Sequence, residues 1–166
     1  MLPYLYETFM EHERTGAPVM RPLFYLGKEA AEIAPSHFED EFLIGDKLLV
    51  APILEAKTRS REVQLPKGDW FCLADEKWYR GGKPFHWTLR SGGMPVFVKN
   101  GSLVPQFEKK CTTSTADLDL SRAQLPLYIK PGFTKPVIQE YRYDEGEGVA
   151  YKIKGDTIIT LVAKPL

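Results

Sequence analysis

The sequence predicts a mainly β fold: an antiparallel sandwich, a smaller C-terminal β domain after it, and a short α/β stretch before it. Three observations carry this. Helical spacing of apolar residues is confined to the N-terminal part, and from Leu48 onward the period changes to two, with turn signals roughly every ten residues. The change falls within Phe38 to Leu54 (FEDEFLIGDKLLVAPIL), where an acidic, aromatic-spaced segment ends at Gly45 and the apolar run LLVAPIL begins.

Leu2, Leu5, Tyr6, Phe9 and Met10 fall at i, i+3, i+4, i+7 and i+8, one apolar helix stripe, so residues 3–14 read as a helix capped by Gly16 in the left-handed conformation. Residues 17–26 (APVMRPLFYL) read as a strand. Apolar on both faces, it suits a parallel sheet, although Pro18 and Pro22 each remove a ladder donor. A short helical turn over 28–33 stops at Pro35. Ser36 and Glu39 have capping-box spacing, and Phe38 and Phe42 share a face at i, i+4 of a helix ended by Gly45. Residues 1–46 thus read helix, strand, helix, too little to close a barrel or complete a doubly wound sheet.

The remainder reads as hairpins. Val63 and Leu65 alternate with polar neighbours, Pro66–Asp69 is a turn, Trp70–Leu73 is a strand, and Ala74–Lys77 turns into Trp78-Tyr79. Gly81-Gly82 precedes a strand over 85–89, and Ser91-Gly92-Gly93 precedes one over 94–99. Asn100-Gly101 is the strongest hairpin signal, with positive φ expected at both positions. Such short strands at regular spacing form a sandwich. Residues 109–117 are a polar linker, with a domain boundary near 115. Strands over 125–130, 137–143, 149–153 and 157–163 follow, separated by turns at 131–132, 144–148 and 154–156.

Lys+Arg and Asp+Glu balance at 22 each, which leaves no field to attract a polyanion and excludes nucleic acid as an expected partner. The longest apolar run, 48–54, is far short of the ~20 residues of a membrane span, and MLPYLYETF lacks the pattern of a signal peptide. The compartment is not indicated. Cys72 and Cys111, the 2 cysteines, have no CxxC spacing and read as reduced thiols.

Few residues carry chemistry. His12, His37 and His86 lie on separate elements without HxH or HExxH spacing and read as surface or packing histidines, not metal ligands. Asp144–Gly148 lacks the later bidentate Glu of a calcium loop. Glu39, Asp40 and Glu41 sit together at the junction; Asp40 is expected to pair with Arg21, and a catalytic role for these carboxylates is the competing reading. Trp70, Trp78 and Trp87, with Tyr79 and Phe85, are expected in the sandwich core. The competing reading is a platform for sugar rings, with Trp78 the candidate because it follows a polar turn.

The motifs LPYLYETFMEHERTGAPVMRPLF, FEDEFLIGDKLLVAPILEAKTRSREVQLPKGDWF, WYRGG, MPVFVKNGSLVP and YRYDEGEGVAYKIKG, in this order, resemble the C-terminal third of glycoside hydrolase family 31, the α-glucosidases and α-xylosidases. The resemblance implies three parts. Residues 1–46 would be the last helix, strand and connecting helix of a (β/α)8 barrel, 47–115 a proximal C-terminal β-sandwich, and 116–166 a distal β domain. It also implies that chemistry lies elsewhere, because retaining hydrolysis needs two carboxyl groups about 5 Å apart. The family supplies them from WxDMNE-type and WxGDN-type motifs, and neither occurs here. No catalytic, substrate-binding or metal-binding residue is carried over, and no cofactor is implied. Met1 would fall inside the family's sequence with most of the barrel before it. The expected partner is therefore the rest of that barrel, with carbohydrate as a further one. Otherwise the orphaned face of Leu5, Phe9, Met10 and strand 19–26 would have to fold back on the sandwich, pair with another copy or stay disordered.

Overall fold

The apolar run that opens at Leu48 becomes an interior strand of a six-stranded antiparallel sheet. The computed structural model describes residues 2–89, 93–106, 124, 126–135, 137–143 and 157–163. Its strands are β1 (Met20–Pro22), β2 (Phe42–Ile44), β3 (Leu48–Val50), β4 (Ser60–Val63), β5 (Asp69–Cys72), β6 (Lys77–Arg80), β7 (Phe85–Thr88), β8 (Val96–Lys99), β9 (Ser102–Leu103), β10 (Leu127–Tyr128), β11 (Val137–Tyr143) and β12 (Thr157–Ala163), after a helix α1 (Leu2–Thr15). The large sheet has the order β1-β2-β3-β8-β5-β6, and β4-β7, β9-β10 and β11-β12 form two-stranded ribbons. The antiparallel, mainly β class expected from the period of two is the observed one.

The described residues group into two compact units. One is Pro18–Ser102 with Tyr128–Pro131; the other comprises the described residues of Met1–Ala17, Leu103–Leu127 and Gly132–Leu166. In the first unit, register places Leu43, Leu49, Phe97 and Cys72 directly opposite one another on successive strands. Paired residues share a face, so these four make one inward row, each no more than 1% exposed. The β4-β7 ribbon covers that row with Val63 and Trp87, and Leu65 and Trp70 complete the core. Tyr79 stacks on Phe85 at 4.7 Å, and both rings meet Phe97 edge-on. This is a sandwich core. Leu48, Leu49 and Val50 are all buried because β3 has a strand on each side and covered faces.

Several local expectations are corrected. β1 is antiparallel to β2, not part of a parallel sheet, and β2 pairs with β3 in the same sheet. Phe42 begins a strand and is not in a helix; before it Pro35–Phe38 forms a 3-10 turn, with Ala34 at its N-cap and no side-chain cap from Ser36. Pro35 at the first helical position sets that start without help from a hydroxyl. A 3-10 stretch, Leu23–Ala30, kinks at Gly27, which has φ 55. Asn100-Gly101 joins strands of different sheets, and only Gly101 has positive φ. The Asn100 side chain accepts the Lys130 N–H at 2.9 Å instead of shaping a tight hairpin.

In the second unit α1 lies beside β11. Its buried positions are Tyr4 and Thr8, at i, i+4, while Phe9 is 59% exposed. The expected stripe through Leu5, Phe9 and Met10 is therefore not the inward one. Gly16 caps the helix as expected, with φ 73 and its N–H on the His12 carbonyl. β11 and β12 pair in register from Val137 opposite Ala163 to Tyr143 opposite Thr157. Cys111, the turn at 144–148 and the strand expected over 149–153 lie outside the described residues.

Gly81 locks the Pro66–Asp69 turn. A Cβ there would stand 1.8 Å from the Pro66 carbonyl oxygen, which also accepts the Trp70 indole N–H. Backbone cannot yield that distance cheaply. Gly81→Ala is expected to destabilise the chain by more than about 2 kcal/mol, read as a lowered urea midpoint at unchanged m.

Candidate functional site

A buried polar network lies where Pro35–Ile44 meets β4, and it grows from strand parity. Glu41 directly precedes β2 and shares its face with Leu43, two residues on, so it points inward; Asp40, in the turn before it, is more exposed but reaches the same Arg61 guanidinium. The Glu41 side chain is 0% exposed and that of Asp40 37%. On β4, Arg61 shares the inner face with Val63 and lies opposite Trp87. The two inward faces bring the carboxylate and the guanidinium together.

Glu41 Oε1 accepts three hydrogen bonds or their equivalents. Arg61 Nη2 lies at 3.0 Å, the Gln64 backbone N–H at 3.1 Å and His37 Nδ1 at 3.0 Å. His37 reaches it from one helical turn earlier, and its Nε2 stands 3.5 Å from Glu62. Arg61 also binds Asp40 Oδ2 at 2.9 Å and donates to the carbonyls of Asp40 and Pro52. Gln64 extends the joint, accepting the Ala34 N–H and donating to the Glu32 carbonyl. Asp40 Oδ1 and Glu41 Oε2 are buried without a hydrogen-bond partner.

Burial pushes the Glu41 carboxyl up to about 7, against the Gln64 N–H and the charges of His37 and Arg61, which pull it down. Burial likewise raises the Cys72 thiol to about 11, so it is an inert core thiol at neutral pH.

His37, Asp40 and Glu41 present donor atoms within 4.8 Å of one another, a spacing a metal ion would accept. The guanidinium of Arg61 already bridges the two carboxylates and supplies the positive charge there. The donor set therefore suits an ion-pair joint better than a metal centre. Nor does it suit glycoside hydrolysis, because a carboxylate with no exposed surface cannot flank a sugar. Beside Asp40 and Arg61 runs a groove of about 310 Å³, also lined by Ile53, Glu55, Thr58 and Ser60.

The structure thus brings three of the residues singled out in the sequence, His37, Asp40 and Glu41, onto one joint. Asp40 has Arg61 for its charge partner, not Arg21; the Arg21 Nε instead donates to the Pro18 carbonyl, and its guanidinium lies over Tyr25. Glu39 is exposed and ends the 3-10 turn. His12 bonds the Ala17 carbonyl beyond α1, and His86 sits exposed on β7. Trp70 and Trp87 are core, each 2% exposed. Trp78 is half-buried on the edge strand β6, packed edge-on against Phe71, which also meets the Tyr128 ring at 5.2 Å. Arg61 and Gln64 were not singled out in the sequence. Parity signals Arg61, which stands at an inward position of the alternating SREV strand, but not Gln64, which follows the inward Val63 and is nonetheless buried.

Residues 16–104, more than half of the chain, match the glycosyl hydrolase family 31 C-terminal domain. The chain belongs to family 31. The matched span nearly coincides with the compact unit Pro18–Ser102, so the family's C-terminal domain starts before β1 and includes the whole network. Among similar proteins, alpha-glucosidase 2 of Bacillus thermoamyloliquefaciens is 35% identical over 116 residues, 70% of this chain and 14% of that protein. An alpha-glucosidase of Saccharolobus solfataricus is 35% identical over 104 residues, 63% of this chain and again 14% of that one. A dextranase of the family from Flavobacterium johnsoniae superposes with a TM-score of 0.75 at 27% identity, covering 98% of this chain and 20% of its own. The family 31 α-xylosidase of Xanthomonas citri gives 0.75 at 26% identity over 98% of this chain and 17% of its own. The chain therefore spans a small fraction of the length of each relative.

Arg61→Met would leave the Glu41 and Asp40 charges without their shared cation. Loss of about 3–5 kcal/mol of unfolding free energy is expected, measured by urea denaturation at pH 7.5. The Glu41→Gln, Arg61→Met double variant should recover part of that loss.

Proposed function

We propose that this chain acts as the supporting β-sandwich of a family 31 α-glycoside hydrolase and does not itself cleave glycosides. The observation that supports this most is the use made of Asp40 and Glu41, neighbouring carboxylates in the domain. Both are held by Arg61, and Glu41 is sealed from solvent. The absence of WxDMNE-type and WxGDN-type sequences points the same way. The named relatives, alpha-glucosidases, a dextranase and an α-xylosidase, all act on α-glycosides by their names, and this chain matches them over a minor part of their length.

In this reading the partner is a catalytic barrel. Met20, Phe24 and Tyr25 are 59%, 61% and 48% exposed on or directly after the edge strand β1, an apolar patch suited to packing against another protein surface. A second reading, a carbohydrate-binding module, draws on Trp78 alone, the half-buried tryptophan of an edge strand.

The purified chain is expected to release no nitrophenol from aryl α-glucosides or α-xylosides above a buffer control. Turnover that persists through repurification and disappears in Glu41→Gln would overturn the proposal. Titration of tryptophan fluorescence with maltooligosaccharides and xyloglucan fragments separates the two readings: no saturable shift is expected, and a shift lost in Trp78→Ala would favour the binding module.

A further inference from the structure

We infer that the joint between Pro35–Ile44 and β4 is a proton-sensitive latch, in which Glu41 takes up a proton in mild acid and the joint then holds more firmly than at alkaline pH. Three features of the geometry carry this. Glu41 Oε1 receives all the donors that reach the carboxyl, from His37, Arg61 and Gln64, whereas Oε2 is buried with none. An oxygen that accepts nothing is the one able to carry the proton.

Complete burial of the carboxyl is what favours uptake; of the charges beside it, Asp40 assists while His37 and Arg61 oppose. Among the described residues, Asp40, Glu41 and Glu62 gather around one permanent cation, Arg61, with His37 the other basic group in contact; His86 lies opposite Glu62 across the β4-β7 ribbon. Proton binding to Glu41 lowers that excess of negative charge. Finally, no backbone ladder connects β2 to β4, since β2 pairs with β1 and β3, and β4 with β7. The side chains of Glu41, Arg61 and Gln64 bridge these elements, so their protonation acts directly on the connection.

The sign follows from linkage. Opening the joint returns Glu41 to water and its carboxyl from about 7 toward its ordinary 4.5, so opening releases a proton between those values. The opening constant then rises by up to about tenfold per pH unit across that window and levels off above it.

The test is amide exchange of the full chain, corrected for intrinsic rates, read at Gln64, whose N–H Glu41 accepts. Protection is expected to fall as pH rises from 5 to 7 and then flatten. In Glu41→Gln, which keeps the shape without the charge, the slope should be lost; an unchanged slope in that variant would overturn the inference. Should that variant fail to fold, the wild-type chain decides alone. Its Gln64 amide shift should titrate with a midpoint near neutrality, and a shift that stays constant from pH 5 to 8 would overturn the inference.

Discussion

A carboxylate with no exposed surface must be matched by its surroundings, and in this domain that requirement falls on Glu41. Desolvating an isolated ion costs several kcal/mol even after the protein relaxes. The offset comes from Arg61, the Gln64 N–H and His37. Each of these positions is determined by something else: Arg61 by the register of β4 on β7, Gln64 by directly following that strand, His37 by the 3-10 turn that Pro35 starts. The hydrogen-bonded carboxyl group therefore ties three elements to one geometry. A mainly apolar contact would allow them to slide; hydrogen bonds to one oxygen do not.

Around that joint the arrangement is economical in another way. The inward row Leu43–Leu49–Phe97–Cys72 crosses four strands, and Trp87 and Val63 close over it from the ribbon. Tryptophans 70 and 87 fill the sandwich and are unavailable to sugars. A domain so built offers a rigid body and an apolar patch at β1. Its membership of family 31, together with the small share of each relative that it matches, fits a supporting part within a larger hydrolase.

Much of this was legible in the sequence. The period of two located β5 to β8, and the β11 and β12 spans, 137–143 and 157–163, came out as read. The junction did not. Phe38 and Phe42 have helical spacing, yet Phe42 starts a strand because Phe42, Leu43 and Ile44 find a ladder on Val50, Leu49 and Leu48. Tertiary pairing outweighed local periodicity. The same limit applies to the site. That Asp40 and Glu41 need a cation follows from their position beside an apolar core, but which arginine provides it depends on a strand about twenty residues later. Sequence parity marks Arg61 as inward; only the sheet stacking shows what it meets.

The order of the large sheet has a consequence for how the chain reaches this state. β3 is flanked by β2, which is adjacent in sequence, and by β8, which begins only at Val96. β5 in turn needs β8 before it joins the sheet, although its hairpin with β6 is local. During synthesis Leu48–Val50 therefore emerges with one edge unpaired and waits for nearly fifty further residues. High contact order of this kind slows folding and leaves an apolar strand open to strangers in the interval. For this domain the vulnerable moment lies before Lys99 has left the ribosome, and a chaperone that shields LLVAP would act there.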